Sequence, residues 1–176
     1  MKKLTLISIL LIAAMGCASS RKGPMAMVSL EPTTGSNARG TVHFQELADG
    51  SVDVQVDLTG VPPGVHGFHV HDKGDCGDSG NAAGGHFNPL NMPHAGPDSA
   101  SRHAGDFGNV TAGSNGEVHT TFNTRSITVR EGTTSVSGHA VILHANPDDL
   151  TTQPTGNAGA RISCGVTQSM AASTHH

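Results

Sequence analysis

The sequence predicts an all-β fold, a single antiparallel barrel or sandwich of eight or nine short strands. Three observations carry that expectation. The chain of 176 residues holds 23 Gly and 9 Pro but only 14% charged residues, a balance suited to many strands joined by turns rather than to a helical bundle. Apolar and polar residues alternate with period two in several short runs, most cleanly in Ser51 to Leu58. No stretch shows an amphipathic helical period of useful length, and no internal repeat is present.

Taken in order, Met25 to Leu30 reads as the first strand and Gly40 to Leu47 as the second, closed by a turn at Ala48-Asp49-Gly50. In Ser51 to Leu58, Val52, Val54, Val56 and Leu58 share one face. Val61-Pro62-Pro63-Gly64 breaks the pattern before a strand over His66 to His71. Further strands are expected over Gly108 to Ala112, Glu117 to Asn123, Ser126 to Arg130, Ala140 to His144 and Ala160 to Thr167. Two segments read as neither strand nor tight turn, residues 72–105 and 145–159. Long loops within a compact domain are usually functional or disordered, and the first of these looks too polar to pack a core.

The ends read differently. Lys2 and Lys3 precede an apolar run from Leu4 to Met15, too short to span a membrane, so residues 1–16 are expected to be an export signal. Cys17 follows that run directly and resembles a bacterial lipoprotein site, although Ala14 stands where such sites usually carry Leu. Ordinary cleavage nearby, with Cys17 incidental, is the alternative. Residues 17–23 would form a tether, 24–170 the domain and 171–176 a flexible tail. Removing residues 1–16 takes away two lysines and no acid, leaving eight basic against 14 acidic residues, a net charge of −6. There is no cluster of Lys and Arg and no aromatic stacking platform, so nucleic acid is not an expected partner. Three cysteines in an exported chain allow one disulfide with one left over. Cys76 and Cys164 are the natural pair if Cys17 carries lipid.

Twelve histidines are the compositional anomaly. His69 and His71 lie two apart on a strand and so share a face, with Phe68 and Val70 on the other. A His-x-His pair is a common metal half-site, weak by itself. His86, His94, His103 and Asp106 follow in a glycine-rich stretch and form a credible tetrahedral zinc set. His144 ends an apolar strand from which it could return to the His69/His71 face. His66 reads as a structural hydrogen-bonding residue, and His119 and His139 as exposed.

These blocks together resemble the copper-zinc superoxide dismutase family over nearly all of residues 25–168. The motifs are His66-Gly67-Phe68-His69-Val70-His71, Gly85-His86-Phe87-Asn88-Pro89, His103-Ala104-Gly105-Asp106-Phe107-Gly108-Asn109, Gly138 to His144, and Gly156 to Val166. The resemblance implies an eight-stranded antiparallel Greek-key barrel with two long functional loops. It implies one copper per subunit on His69, His71, His86 and His144, and one zinc on His86, His94, His103 and Asp106, with the His86 imidazole shared. It gives Asp148 the role of a carboxylate tying a copper histidine to a zinc histidine, a loop-capping Asp being the alternative. It pairs Cys76 with Cys164, and it sets Arg161 beside copper to attract and bind superoxide. The five-residue step from His71 to Cys76 and the short 145–159 loop match bacterial members. The expected activity is superoxide dismutation in the periplasm or cell envelope, by a monomer or homodimer held on the membrane through Cys17. An exported copper- or zinc-binding protein for buffering or delivery is the competing reading, since the same ligands would serve. One departure stands out: residues 145–160 contain no Lys or Arg, where eukaryotic members carry lysines that steer the anion. Lys73 and Arg102 are the candidates to replace them.

Overall fold

A computed structural model describes residues 23–170; the expected signal, Cys17 and the tail 171–176 lie outside the described residues. The strands are β1 (Met25–Pro32), β2 (Arg39–Glu46), β3 (Val52–Thr59), β4 (Gly64–Val70), β5 (Asp106–Ala112), β6 (Val118–Thr124), β7 (Ala140–His144), β8 (Arg161–Val166) and β9 (Gln168–Met170). Among the described residues the only helix is a single 3-10 turn, Asn81–Ala83, and none is long and apolar enough to cross a membrane. Every ladder between strands is antiparallel, and the order is β5-β4-β7-β8-β1-β2-β3-β6. The path wraps into a nearly closed barrel whose edges, β5 and β6, are not joined by a ladder. The jumps from β3 to β4 and from β6 to β7 make it a Greek key.

The alternation legible in the sequence is the alternation of burial. Val52, Val54, Val56 and Leu58 of β3 point inward beside Ala26, Val28 and Leu30 of β1. Phe44, Phe68 and Leu143 are among the large side chains fully enclosed in the same core, each contributing roughly 1.5–3 kcal/mol by leaving water. Phe107 links Phe68 to Phe122, with ring centroids 6.1 and 5.3 Å apart.

Two expectations need correction, and one strand is additional. Ser126 to Arg130 is not a strand. Ile127 and Val129 alternate because both are buried, but the backbone makes only an isolated bridge, Thr128 to Ser135. The N–H groups of Val129 and Arg130 donate to the Glu46 carboxylate, at 2.9 and 3.0 Å, instead of to a neighbouring strand. The run from Ala160 to Thr167 is one strand, β8, as expected, and a short further strand that the sequence did not suggest, β9, follows Thr167. β8 meets β1 at Glu31 and Pro32, while β9 meets it at Met25 to Met27. Gly165 sits where β8 presses on β1: a Cβ there would lie 2.1 Å from the Ser29 carbonyl oxygen. Finally, the 72–105 segment does pack a core, because Phe87 and Ala104 are buried in the barrel interior.

Candidate metal centre

β4 is buried on both sides over its last residues. Phe68 and Val70 enter the barrel, while His69, with His71 just beyond the strand, faces outward under the two long loops. A register shift between Gly67 and His69 loosens the β4–β5 ladder there. His144 arrives from the end of β7, itself shifted in register against Arg161 of β8. Bridge pairing of His71 with His86 pins the start of the first loop to this face. Asp106 opens β5 rather than closing the loop.

Two buried sets of side chains result. His69, His71, His86 and His144 form one; His86, His94, His103 and Asp106 form the other. Within each, the ligand-capable atoms lie within 4.8 Å of one another. The outer ring nitrogens are spoken for. His71 Nδ1 donates to the Gly84 carbonyl at 3.0 Å, and His144 Nδ1 to the Gly159 carbonyl at 3.2 Å. His69 Nε2 and His94 Nε2 donate to the two oxygens of Asp148, at 2.8 and 3.0 Å. An outer nitrogen that carries the proton leaves its inner partner a lone pair. His71 Nε2 and His144 Nε2 therefore face each other at 3.2 Å as acceptors. His69 Nδ1 and His86 Nε2 are buried without a hydrogen-bond partner.

The second set converges on one oxygen. Asp106 Oδ1 lies 2.7 Å from His86 Nδ1, 3.1 Å from His94 Nδ1 and 3.2 Å from His103 Nδ1. The other oxygen, Oδ2, accepts the backbone N–H groups of Ala95 and His103, so Oδ1 is the oxygen turned toward the three imidazoles. A tetrahedron with ligand bonds of about 2.0–2.1 Å has edges of roughly 3.3 Å, close to these spacings. Three imidazoles and a carboxylate fit zinc; four imidazoles fit copper.

Electrostatics agree with the donor set. Burial holds His69 and His71 well below the usual histidine range and brings His144 down to about 4, so all three are neutral at pH 7. Burial would raise Asp106, but hydrogen bonds from His86 and the Ala95 N–H prevail and bring it down to about 2.

Asp148 bridges the two sets, as expected, and it also accepts the Leu150 N–H at 2.7 Å, so the loop-capping reading holds as well. Two residues with no role expected from the sequence support it. Asn109 accepts the Asp148 N–H at 2.7 Å and donates to its carbonyl at 2.9 Å. Gln153 clasps the backbone of His94 through both ends of its amide. Gly156, with φ of 66°, passes so close that a Cβ would lie 1.8 Å from Asp148 Oδ1.

A cavity of about 370 Å³ opens beside His71 and His144 and is walled by Asn81, Thr155, Asn157, Ala158, Gly159 and Arg161. The half-buried Arg161 guanidinium donates to the carbonyls of Gly80 and Gly84, and among the described residues it has no ion pair. Those carbonyls leave no side-chain signature in a sequence. Cys76 is bonded to Cys164, which ties the loop carrying Gly80 to β8. Arg102 is a correction: it donates to Ser99 and Thr124 and lines a different cavity, with Leu90 and Met92, so it does not face this one. Lys73 lies nearer, its aliphatic stem beside Gly84. His66 bridges the carbonyls of His144 and Pro62. His119 is exposed, but His139 is half-buried and stacked on Phe87, with ring centroids 3.9 Å apart.

The copper/zinc superoxide dismutase sequence profile matches residues 38–167. The chain belongs to this family. It is 42% identical over 137 residues to Superoxide dismutase [Cu-Zn] 3 of Arabidopsis thaliana, covering 74% of this chain and 83% of that protein. The crystal structure of the clock protein EA4 superposes with a TM-score of 0.74 at 39% identity, covering 82% of this chain and 93% of that one. The Greek-key barrel is the superoxide dismutase barrel, copper and zinc are its metals, and dismutation of superoxide is its activity.

Proposed function

We propose that this copper-zinc superoxide dismutase is exported and lipid-anchored, and that it removes superoxide in the cell envelope. His69, His71, His86 and His144 would hold copper; His86, His94, His103 and Asp106 would hold zinc. The observation that carries the assignment is that one imidazole belongs to both sets, with Nδ1 against Asp106 and Nε2 buried in the four-histidine set. Bound copper supplies one-electron exchange with superoxide, and zinc supplies a fixed positive charge beside it.

The chain's own residues do the rest. Arg161 draws the anion into the cavity and binds it, with a charge that no carboxylate neutralises among the described residues. The Gly80 and Gly84 carbonyls fix its direction. His86 Nε2 is the atom at which a proton can wait beside the reacting anion. Asp148 sets the orientation of His69 and His94 together. Two superoxide anions and two protons give one dioxygen and one hydrogen peroxide.

Export rests on the positive start and apolar run of residues 1–16, and anchoring on Cys17 immediately after it. Stopped-flow decay of superoxide tests the centre. The chain loaded with one copper and one zinc should act catalytically, and His144→Ala loaded the same way should not. Metal binding with decay no faster than free copper would move the reading to metal handling. For the anchor, Cys17→Ser should shift the protein from the membrane to the soluble envelope fraction; unchanged partition would reject lipidation.

A further inference from the structure

The outward face of the sheet formed by β9, β1, β2 and β3 carries a cluster that the dismutase centre does not use. Four methionines fall within the described residues, and three of them lie on this face. Met25 pairs directly with Met170 across β1 and β9, and Met27 pairs directly with His43 across β1 and β2. Met25 and Met27 are two apart on one strand and so point the same way. Directly paired residues have Cβ atoms about 4.5–5.5 Å apart, and same-face neighbours along a strand lie roughly two rises of 3.4 Å apart, spacings that flexible thioethers and an imidazole can close around one ion.

These side chains are available. Met25 is 37% and Met170 44% exposed. Met25 and His43 line one shallow cavity of about 340 Å³. Among the described residues no hydrogen bond engages the His43 ring, while its neighbours on the face are committed elsewhere: Asp53 to Asn123, and Gln55 to Asp57. The fourth methionine, Met92, is placed differently and accepts a hydrogen bond from Ser101. No residue lining this cavity lines the one beside His71 and His144.

Thioether sulfur is a soft donor that selects monovalent copper over zinc, and an imidazole completes a low-coordinate set. We propose that Met25, Met27 and His43, flanked by Met170, form a second, surface site for Cu(I), separate from the dismutase centre. Nothing in the site requires burial, because thioethers need not lose a proton to bind.

The test uses the chain already holding its copper and zinc, titrated anaerobically with further Cu(I) against a chromophoric Cu(I) chelator. One additional equivalent should bind, and X-ray absorption should show sulfur at about 2.3 Å, the length of other metal–sulfur bonds. Met25→Leu combined with Met27→Leu should weaken that equivalent by about tenfold or more and remove the sulfur signal. Both sites point to solvent and Leu conserves volume, so superoxide decay should be unchanged in the variant. An additional equivalent without sulfur, one that the double variant leaves intact, or no additional equivalent would each overturn the proposal, and none of these bears on the dismutase centre.

Discussion

Arg161 is held by two carbonyl oxygens and no carboxylate, so its full charge is directed at the cavity beside His71 and His144. A hydrogen bond to a charged group is worth about 1.5–3 kcal/mol, so Arg161→Ala should lower kcat/KM roughly 10- to 100-fold with metal content unchanged. A loss of twofold or less would remove Arg161 from the reaction. Asp148 acts on the ligands instead. Asp148→Ala frees the outer nitrogens of His69 and His94, and metal affinity should fall about 10- to 100-fold, read by competition with a chelator. Gly156→Ala should move in the same direction, since its new Cβ would displace Asp148 Oδ1. An affinity equal to that of the parent in both variants would show that the carboxylate is a loop cap only.

At the scale of elements, two devices hold irregular chain against the barrel. One is Glu46, which ends β2 pointing inward and is fully buried. Its carboxylate takes the backbone N–H groups of Val129 and Arg130 and pairs with the Arg130 guanidinium, so it substitutes for the strand that the 126–130 segment does not form. Glu46→Gln keeps the shape but gives up the charge, and should cost about 1–3 kcal/mol in a urea titration. The other is the bond between Cys76 and Cys164, which closes a span of 88 residues. Chain entropy gives that closure about 4–5 kcal/mol. Cys76→Ser with Cys164→Ser should therefore lower Tm by roughly 10 °C or more. It should also slow dismutation, because the released loop carries the Gly80 carbonyl that aims Arg161.

The whole molecule collects buried histidines that stay neutral, and this sets its response to acid. His144 is depressed to about 4, and His69 and His71 also lie well below the ordinary histidine value near 6.5. Above that value folded and unfolded chains alike hold these rings neutral, and their contribution to stability is complete. As pH falls toward about 4, the unfolded chain takes up protons that the fold refuses, and stability drops. The metal-free protein should therefore show a urea midpoint that falls steadily from pH 7 to pH 4.5; a flat profile would contradict the burial. Charge at long range is the other whole-molecule property. The chain is net negative, residues 145–160 bear no cation, and Arg102 faces elsewhere. Lys73 and Arg161 are left near the cavity, so kcat/KM should change less than about threefold between 0.01 and 1 M salt, while the Debye length shrinks from about 30 to 3 Å.

The sequence by itself determined the strands that alternate and, with the family resemblance, named the seven side chains that gather into two sets able to hold a metal. Val52 to Leu58 and the His69/His71 pair are legible because a strand repeats every two residues, and that local rule needs no partner. The resemblance to a known family supplied the assignment of Asp148, Arg161 and the disulfide. Only the tertiary structure decided what local pattern cannot encode. Ile127 and Val129 alternate like a strand, yet their backbone is satisfied by a side chain from β2, because burial and strand pairing are separate requirements. Gly80 and Gly84 serve through carbonyl oxygens that every residue possesses, so no residue type announces them. The resemblance implied a shared His86, but that Arg102 turns away from the cavity beside His71 and His144 depends on where two loops cross the barrel, which is fixed by contacts far apart in the chain.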